Sequence, residues 1–350
     1  TPSQSQSPVA SRESPAPGSR TESSETLRME SSGETAAMAS RTGASNRMPE
    51  SRQISVRRFH DLIPYRVREV LLVSSPYDAF ILQEDGHLTE RMFFEYREIS
   101  LSSSPRFTHV ANGEEAIRLL ESRPFDLVVA MTSLTDMDVN AFGRRARELR
   151  PGLPVVLLAL DRKEDSLLGQ SIDPDAIDGY FQWNGDLTIL LAVIKTVEDR
   201  MNVDHDVAVG NVRVIIMIED SPQYYSSFLG VLYRELMAQS LSLYSEGVSD
   251  LYRKMYMKSR PKVLHAQNYE EGVSLFERYR NNVLAVICDV RLPRDGRQDP
   301  TAGIDFARYA TAHEPGLPIL LQSASPENRC KAEQLGASFI DKGSPSLLAG

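Results

Sequence analysis

Three pairs of matching segments show that this sequence carries one pattern twice. The matches join Asn112–Ala116 with Asn268–Gly272, Phe125–Met131 with Val283–Asp289, and Pro151–Pro154 with Pro315–Pro318. The pairs follow one another in the same order, and internal similarity at a nearly constant offset indicates a repeated structural unit. The sequence therefore predicts two tandem copies of one domain, which limits the fold more than any other feature.

Within each copy, short apolar runs alternate with amphipathic segments of helical period. Runs such as Leu153–Leu160 and Val283–Cys288 are bounded by turn residues, which is typical of strands buried on both faces. Strands that alternate with helices form parallel sheets with right-handed connections. We therefore predict the α/β class, with two doubly wound parallel sheets of five strands each.

The two copies and their flanks set the expected domain boundaries. The first domain is predicted over residues 66–201 and the second over 212–350, with a polar linker at 202–211. Residues 1–60 are rich in Ser, Thr, Pro, Glu and Arg, and they carry too little apolar surface to offset the entropy of folding. We expect a disordered, solvated tail, and favour it over a docking motif or phosphorylation sites in the same segment.

An insertion in the second copy carries a stripe of apolar residues. The preceding helix is expected to begin at Ser221 and Pro222, since serine is a good N-cap and proline fits the first turn. The stripe has alternating three- and four-residue spacing and consists of Leu241, Tyr244, Val248, Leu251 and Met255. Such spacing is typical of a coiled-coil seam, so a homodimer contact is one interpretation. Packing on its own domain is the other, and Gly247 within the stripe favours it slightly.

The composition excludes several classes of protein. The 350 residues carry a formal net charge of -9, which argues against a nucleic-acid partner, because nucleic acid needs a basic surface. No apolar run approaches the ~20 residues of a membrane-spanning helix, and no secretory signal opens the chain. The cysteines, Cys288 and Cys330, are too few for a disulfide framework or a cysteine-rich zinc site. We expect a cytoplasmic protein, and the missing initial Met suggests a fragment.

Polar residues at the ends of predicted strands mark a candidate site in the second copy. Asp289 ends one apolar run, and Pro293 follows four residues later. The other polar residues at strand ends are Glu219, Asp220, Ser323 and Lys342. Open α/β folds bind ligands at the carboxyl edge of the sheet, so these side chains are expected to lie together. Each alone has an ordinary explanation as a solvated or helix-capping residue, but five at matching strand ends make chance a poor explanation.

The second copy resembles a response-regulator receiver domain, the phospho-accepting module of two-component signalling. The resemblance covers about residues 212–346 and fills the five signature positions, with the Asp-x-x-x-Pro run at 289–293. It implies a flavodoxin-like sheet of strand order 2-1-3-4-5, and we expect the same fold in both copies. It also implies that Asp289 accepts the phosphoryl group.

The same resemblance assigns roles to the remaining residues of the site. The implied Mg²⁺ ligands are Glu219, Asp220, Asp289 and the backbone carbonyl of Arg291. Ser323 and Lys342 are implied to stabilise the phosphoryl group, and Phe339 occupies the position of the switch aromatic. Phe339 lies three residues before this lysine.

Phosphoryl transfer needs these residue types for physical reasons. An aspartate attacks phosphorus only when its charge and that of the donor are offset, which Mg²⁺ bound by carboxylates achieves. A lysine supplies a fixed cation and a serine supplies a hydrogen bond to the phosphoryl oxygens. The resemblance therefore implies a phosphorelay module that accepts phosphate from a histidine kinase or a small-molecule phosphodonor and switches a protein-binding surface.

The first copy lacks these residue types and resembles a degenerate pseudo-receiver. Its corresponding positions hold Ser74, Ser75, Met131, Ala159 and, approximately, Trp183. Asp136 and Asp138 in the following loop are interpreted as solvated turn residues. With no carboxylate at the strand ends, neither a nucleophile nor a Mg²⁺ site is expected. This copy is predicted to be structural, or to bind a partner without phosphorylation.

Two features of the second copy depart from the family pattern. The loop Arg294–Ala302 is longer than usual, and we expect it to cover the site or to alter the access of a donor kinase. The chain also ends soon after Lys342, so the fifth helix is essentially truncated.

Three runs carry a narrower resemblance. Ile218–Pro222, Cys288–Pro293 and Leu321–Ser323 are similar to the N-terminal regulatory part of phosphoenolpyruvate synthase or pyruvate phosphate dikinase type proteins. This resemblance implies an output enzyme, either C-terminal to this chain or as a partner. The chain itself is not expected to be an enzyme beyond its own phosphorylation, and no helix-turn-helix segment remains for a DNA-binding output.

Two other functions stay open beside a phosphorylated signalling module. One is a phosphorylation-independent scaffold or dimerisation module that regulates an attached or partner enzyme. The other is a phosphatase of the haloacid dehalogenase class, which also uses an aspartate nucleophile. That class needs a second Asp two residues after the nucleophile, where this chain has Arg291, so it ranks last.

Overall fold

The computed structural model describes residues 61–82, 104–160, 172–183, 185–186, 188–242 and 257–344. All of them fall within one compact unit of the chain. Three predicted features lie outside the described residues. These are the N-terminal tail, the side chains of the apolar stripe that begins at Leu241, and the region of the truncated fifth helix.

The first copy forms a sheet from its apolar runs. Its strands are β1 (Glu69–Val73), β2 (Arg106–Val110), β3 (Leu127–Met131), β4 (Val155–Ala159) and β5 (Gly179–Gln182). The described helices of this copy are α1 (Pro76–Leu82), α2 (Gly113–Ser122), α3 (Val139–Leu149) and α4 (Thr188–Gly210). Every residue of β3 and β4 is buried, because helices cover both faces of a doubly wound sheet.

The second copy repeats this plan with one addition. Its sheet contains β6 (Val214–Ile218), β7 (Lys262–Ala266), β8 (Val283–Asp289), β11 (Ile319–Ser323) and β12 (Ser338–Asp341). The addition is an antiparallel hairpin of β9 (Leu292–Arg294) and β10 (Arg297–Asp299). The described helices are α5 (Pro222–Ser242), α6 (Tyr269–Tyr279), α7 (Ala302–His313) and α8 (Asn328–Gln334).

Both sheets have the strand order expected from the sequence. The orders are β2-β1-β3-β4-β5 in the first copy and β7-β6-β8-β11-β12 in the second, and all neighbouring strands pair in parallel. Counted within each copy, this order is 2-1-3-4-5. The predicted pair of flavodoxin-like, doubly wound parallel sheets is therefore confirmed.

Matching helix caps show how the repeated sequence produces repeated structure. The side chain of Asn112 accepts a hydrogen bond from the N–H of Glu115 at 2.9 Å, and Asn268 accepts one from Glu271 at 2.8 Å. Each glutamate in turn accepts a hydrogen bond from the residue before the cap. These reciprocal bonds satisfy N–H groups that a helix start leaves free, so both helices begin at equivalent residues.

The segment predicted as a polar linker, 202–211, instead continues α4 as far as Gly210. Two of its polar side chains, Asn202 and Asp206, are buried and directed to the segment before β1, as is Glu198 one turn earlier. The N–H groups of Val67, Tyr65 and Ile63 donate to Glu198 Oε1, Asn202 Oδ1 and Asp206 Oδ1, at 3.1, 2.8 and 3.0 Å. Acceptors spaced four residues apart share one face of a helix, which explains why polar residues there do not indicate a linker.

Helices α4 and α5 form one layer that both sheets share. Side chains of both helices join residues of the first sheet, such as Val129, and of the second, such as Met217 and Val263, in a single hydrophobic cluster. Helix α4 of the first copy packs on β7, whereas α5 of the second copy packs on β5. The Oγ atom of Ser226 on α5 also accepts a hydrogen bond from the N–H of Gln182 on the edge strand at 3.0 Å. The two copies are therefore joined by a common core.

A buried ion pair adds a polar connection between the copies. The carboxylate of Asp199 on α4 accepts hydrogen bonds from both terminal nitrogens of Arg260, at 2.7 and 2.8 Å. The same carboxylate accepts from the N–H of Val263 at 2.9 Å and from the hydroxyl of Tyr233 at 3.1 Å. Nearby, Lys262 pairs with Asp206 of α4 at 2.7 Å. Buried carboxylates with this many donors bind the second copy to α4.

Within the described residues, no helix combines the length and the apolar character that crossing a membrane requires.

Candidate functional site

The carboxyl edge of the second sheet brings together side chains that are distant in the sequence. Asp289 is the last residue of β8 and Ser323 the last of β11, while Glu219 and Lys342 directly follow β6 and β12. Because these strands are parallel neighbours, the four positions lie at one edge. Gly303 at the start of α7 allows this packing, since a Cβ there would overlap the carbonyl oxygen of Asp289.

Three carboxylates converge at this edge. One oxygen from each of Glu219, Asp220 and Asp289 lies within 4.8 Å of the other two. Glu219 is fully buried, Asp289 is 9% exposed and Asp220 is half-buried. The N–H of Arg291 points to Asp289 Oδ1 across a long 3.4 Å, which places the backbone after the strand beside the carboxylates. Carboxylate and carbonyl oxygens are the ligands that Mg²⁺ prefers, so this donor set fits the ion implied by the sequence.

Lys342 supplies the positive charge of the site. Its Nζ atom donates to Glu219 Oε2 at 2.5 Å and to Asp289 Oδ2 at 2.7 Å. The ammonium group also lies 4.3 Å from the centre of the Tyr224 ring, and its side chain is 3% exposed. Three carboxylates around one ammonium leave an excess of negative charge, which a divalent cation would neutralise.

Burial governs the protonation of the two inner carboxylates. It raises the pKa of Glu219 to about 7, although the ammonium of Lys342 lowers it and the charge of Asp289 raises it further. Burial also raises the pKa of Asp289, with Lys342 again opposing the rise. Carboxyl groups with raised pKa values are typical of functional sites rather than of solvated strand ends.

Gln322 is a residue of the site that the sequence reasoning missed. Its Nε2 atom donates to Glu219 Oε2 at 2.6 Å, and the side chain is almost fully buried. Glu219 Oε1 accepts from the N–H of Ser221 at 3.2 Å, so both carboxylate oxygens of Glu219 have donors. The available signal was a polar residue at a strand position before Ser323, in a run that is otherwise apolar.

The predicted loop Arg294–Ala302 is largely the β9–β10 hairpin and the start of α7. The hairpin reaches the site from the side of Asp220, where Gln298 Nε2 donates to Asp220 Oδ2 at 2.5 Å. Of the two expectations for this loop, covering the site agrees with this contact. Its influence on a donor kinase stays a prediction.

Ser323 and Phe339 both contact the first turn of α8. The Oγ atom of Ser323 accepts from Asn328 Nδ2 at 3.0 Å and from the N–H of Ser325 at 3.1 Å. Phe339 is half-buried, and the guanidinium of Arg329 lies 5.0 Å from the centre of its ring. A rotation of the Ser323 side chain towards the carboxylates would break its hydrogen bond to Asn328, the first residue of α8. A change at the acidic edge can therefore alter the start of this helix.

The first copy matches the second bond by bond along the same edge. The N–H of Ser74 donates to Val110 at 3.1 Å, as that of Glu219 does to Ala266 at 3.0 Å. The N–H of Trp183 donates to Ala159 at 2.7 Å, as that of Lys342 does to Ser323 at 2.9 Å. The positions assigned from the sequence are thus equivalent, and Met131 ends β3 where Asp289 ends β8.

A histidine completes this correspondence and was not recognised from the sequence. Nε2 of His109 lies 3.0 Å from the carbonyl oxygen of Ser74, and Nε2 of His265 lies 2.8 Å from that of Glu219. Each histidine is the fourth residue of the second strand in its copy. The signal in the sequence was one shared residue, because the equivalent segments Thr108-His109-Val110 and Leu264-His265-Ala266 have only the histidine in common.

Asp136 and Asp138 are exposed loop residues, as the sequence predicted, but each also has a structural role. Asp136 accepts from the N–H groups of Gly113 and Glu114, and Asp138 caps α3. The bonds from these N–H groups lower the pKa of Asp136 despite the opposing effect of its partial burial. Both loop acids therefore stabilise helix starts.

The edge of the first copy also holds one carboxylate that the sequence reasoning overlooked. Asp78 on α1 is buried, and it accepts a hydrogen bond from the hydroxyl of Ser133 at 3.1 Å. Among the described residues, it belongs to no cluster of three potential metal ligands. Ser74 and Met131 stand where the second copy has Glu219 and Asp289, so within the described residues the cluster of three carboxylates has no counterpart at this edge.

Solved structures similar to this chain include receiver domains. The signal receiver domain of an HD domain-containing protein from Pseudomonas fluorescens Pf-5 is 23% identical, covers 40% of this chain and 93% of its own, and has a TM-score of 0.32. The signal receiver domain of a signal transduction histidine kinase from Syntrophus aciditrophicus is 24% identical, with coverages of 38% and 91% and a TM-score of 0.29. A putative two-component system response regulator/GGDEF domain protein is 16% identical, with coverages of 81% and 95% and a TM-score of 0.31.

No family model and no curated protein matches the chain. The narrower resemblance to phosphoenolpyruvate synthase or pyruvate phosphate dikinase type proteins finds no support in these comparisons. The receiver-like topology of both copies is defined by strand order and register, independently of the similar structures.

Proposed function

We propose that the second copy is the phospho-accepting domain of a two-component signalling module and that Asp289 is the acceptor. The observation that carries this proposal is the contact of Asp289 with Lys342 beside two further carboxylates, Glu219 and Asp220. A structural ion pair needs one acid for one lysine, whereas this edge holds three. The surplus of oxygen ligands is what Mg²⁺-assisted phosphoryl transfer to a carboxylate requires.

Each residue then has a part in the transfer. Oδ1 or Oδ2 of Asp289 attacks phosphorus and the donor's leaving group departs in line, so one oxygen–phosphorus bond forms as another breaks. Lys342 stabilises charge on the phosphoryl oxygens, and Ser323 donates its hydroxyl proton to one of them. Mg²⁺, when bound by Glu219, Asp220, Asp289 and the carbonyl of Arg291, neutralises charge on the attacking and transferred groups.

The phosphorylated state would act on α8. A turn of the Ser323 side chain towards a phosphoryl oxygen would move its Oγ atom away from Asn328, from which it now accepts a hydrogen bond. Arg329, the next residue, contacts the ring of Phe339, so movement of the helix start also frees the aromatic side chain. The surface around α8 is therefore the switched surface in this proposal, and an output protein or domain would recognise it.

The first copy serves as a non-phosphorylatable structural partner in this proposal. Its α4 forms part of the core under the second sheet, and Asp199 on that helix binds Arg260. We assign the donor to a histidine kinase or a small phosphodonor in the cytoplasm, because both carry a phosphoryl group that a carboxylate can attack.

The alternative is a scaffold that works without phosphorylation. The shared layer of α4 and α5 favours it, because a large fixed junction is what an assembly module needs. The two functions differ in what happens at Asp289. In a scaffold, the acidic edge would have no chemical task.

Beryllofluoride, which mimics a phosphoryl group on aspartate, separates the two functions. We expect it to raise the melting temperature of the wild type in the presence of Mg²⁺, because a ligand that binds only the folded state stabilises it. Asp289→Asn should show no such rise. An equal response of both proteins, with or without a rise, would favour the scaffold.

A further inference from the structure

The inserted β9–β10 hairpin is built to keep one shape. Its turn consists of Asp295 and Gly296, both with positive φ angles of 50° and 72°. An Asp-Gly pair in this conformation is the preferred two-residue turn of antiparallel hairpins. Gln298 pairs with Pro293 across the hairpin. Proline has no backbone N–H, so no donor at this position is left without a partner.

The hairpin is also fixed to the body of the second copy. Leu292 at its base is fully buried in the core. The N–H of Asp295 at its tip donates to Glu270 on α6 at 3.0 Å. Arg294 lies 4.1 Å above the ring of Tyr269 and bonds Asp305 on α7 at 3.1 Å. Base, tip and middle are thus each attached, so the hairpin forms a fixed rim of the acidic edge.

This rim presents one amide group to the site. Gln298 Nε2 lies 2.5 Å from Oδ2 of Asp220, although 78 residues separate them in the chain. Asp220 is the most exposed of the three clustered carboxylates, whereas Glu219 is fixed by Gln322 and Lys342. A half-buried carboxylate can still rotate unless a neighbour orients it, and the hairpin provides that neighbour.

We propose that Gln298 is a positioning residue that orients Asp220, so that the hairpin sets the affinity of the acidic site for a divalent cation. The inference rests on the proposed function, because it takes the three carboxylates as the cation ligands. Groups that orient a metal ligand from behind typically contribute 10–100-fold to metal affinity. The added hairpin would therefore be a device for raising the occupancy of the site, and not only a cover over it.

Mg²⁺ titration by calorimetry of the full chain tests this role. We expect Gln298→Ala to raise the Kd for Mg²⁺ about tenfold. Gln239→Ala is the matched control, because Gln239 is an exposed glutamine in the last turn of α5, whereas the acidic edge lies at the start of that helix, and the variant should bind Mg²⁺ like the wild type. Phosphorylation by acetyl phosphate should reach the wild-type rate in Gln298→Ala at saturating Mg²⁺, with only the half-saturating concentration raised. A general structural defect would lower the rate at every Mg²⁺ concentration.

The outcomes separate the positioning role from the proposed function. Equal Mg²⁺ affinity of Gln298→Ala and the wild type would overturn the role of Gln298 and leave the phospho-acceptor intact. A rate that stays low at saturating Mg²⁺ would also overturn it. No Mg²⁺ binding by the folded wild type would overturn both proposals together.

Discussion

The Nζ atom of Lys342 lies 2.7 Å from Oδ2 of Asp289, and 53 residues separate the two in the chain. The same ammonium donates to Glu219 at 2.5 Å, so one lysine compensates two buried acids. Removal of the lysine would leave two buried carboxylates without a counter-ion. An uncompensated buried charge destabilises a protein by more than the intact ion pair stabilises it.

We expect Lys342→Met to destabilise the protein by about 3 kcal/mol near pH 8, because two buried carboxylates then lack their cation. The loss should be smaller at pH 5.5. Burial raises the pKa of Glu219 to about 7, so this group is protonated below that value and needs no partner. Urea denaturation at the two pH values measures both losses. Equal losses would contradict the assignment of Lys342 as the partner of an ionised Glu219.

The junction of the copies leads to a second prediction. Arg260→Met leaves the fully buried Asp199 without its two-pronged partner, and we expect a loss of about 3 kcal/mol. The exposed pair of Arg278 with Asp204, at 2.6 Å, offers a control, because Arg278→Met should cost under about 1 kcal/mol.

The fluorescence of Trp183 allows Arg260→Met to test whether the two copies unfold together. Trp183 is the single tryptophan, it lies in the first copy, and it packs on the shared core. If the copies unfold as one unit, its fluorescence and the far-ultraviolet circular dichroism will shift together in Arg260→Met. A fluorescence transition that keeps its wild-type midpoint would show that the first copy is independent.

Histidine titration gives a third prediction. Burial lowers the pKa of His265 from its ordinary value of 6.5, so the ring is neutral in the folded protein. Below pH 6.5, His265 takes up a proton in the unfolded chain more readily than in the folded chain, so the free energy of unfolding falls. The stabilisation due to the neutral ring of His265 is complete above about pH 6.5 and decreases as the pH drops.

His265→Gln, which retains a side-chain donor, should reduce the stability loss between pH 7.5 and pH 5.5, because glutamine takes up no proton in the unfolded chain. Denaturation curves at both pH values give this difference directly. The same loss in variant and wild type would mean that His265 takes up its proton without opening the fold.

The fold was largely predictable from the sequence because its signals are local and repeated. Short apolar runs bounded by turn residues, such as Val155–Ala159, are typical of buried strands, and the caps Asn112 and Asn268 mark equivalent helix starts. The acidic edge followed from strand ends in the same way. Parallel strands place their last residues at one edge whatever the details of the packing.

The features that escaped prediction depend on contacts between distant segments. Asn202 and Asp206 look like linker residues until the chain before β1 supplies their donors. Gln322 reads as an irregular strand residue until Glu219 lies beside it. The hairpin was an exception, since Asp295-Gly296 is a strong local signal for a two-residue turn and was available in the sequence.

The central claim is that Asp289 accepts a phosphoryl group, and intact-protein mass tests it most directly. The wild type and Asp289→Asn are incubated with acetyl phosphate, with Mg²⁺ or with EDTA. We expect one phosphoryl adduct, only in the wild type and only with Mg²⁺. The absence of an adduct from folded wild type, or the same adduct in Asp289→Asn, would contradict the account and leave both copies as scaffolds.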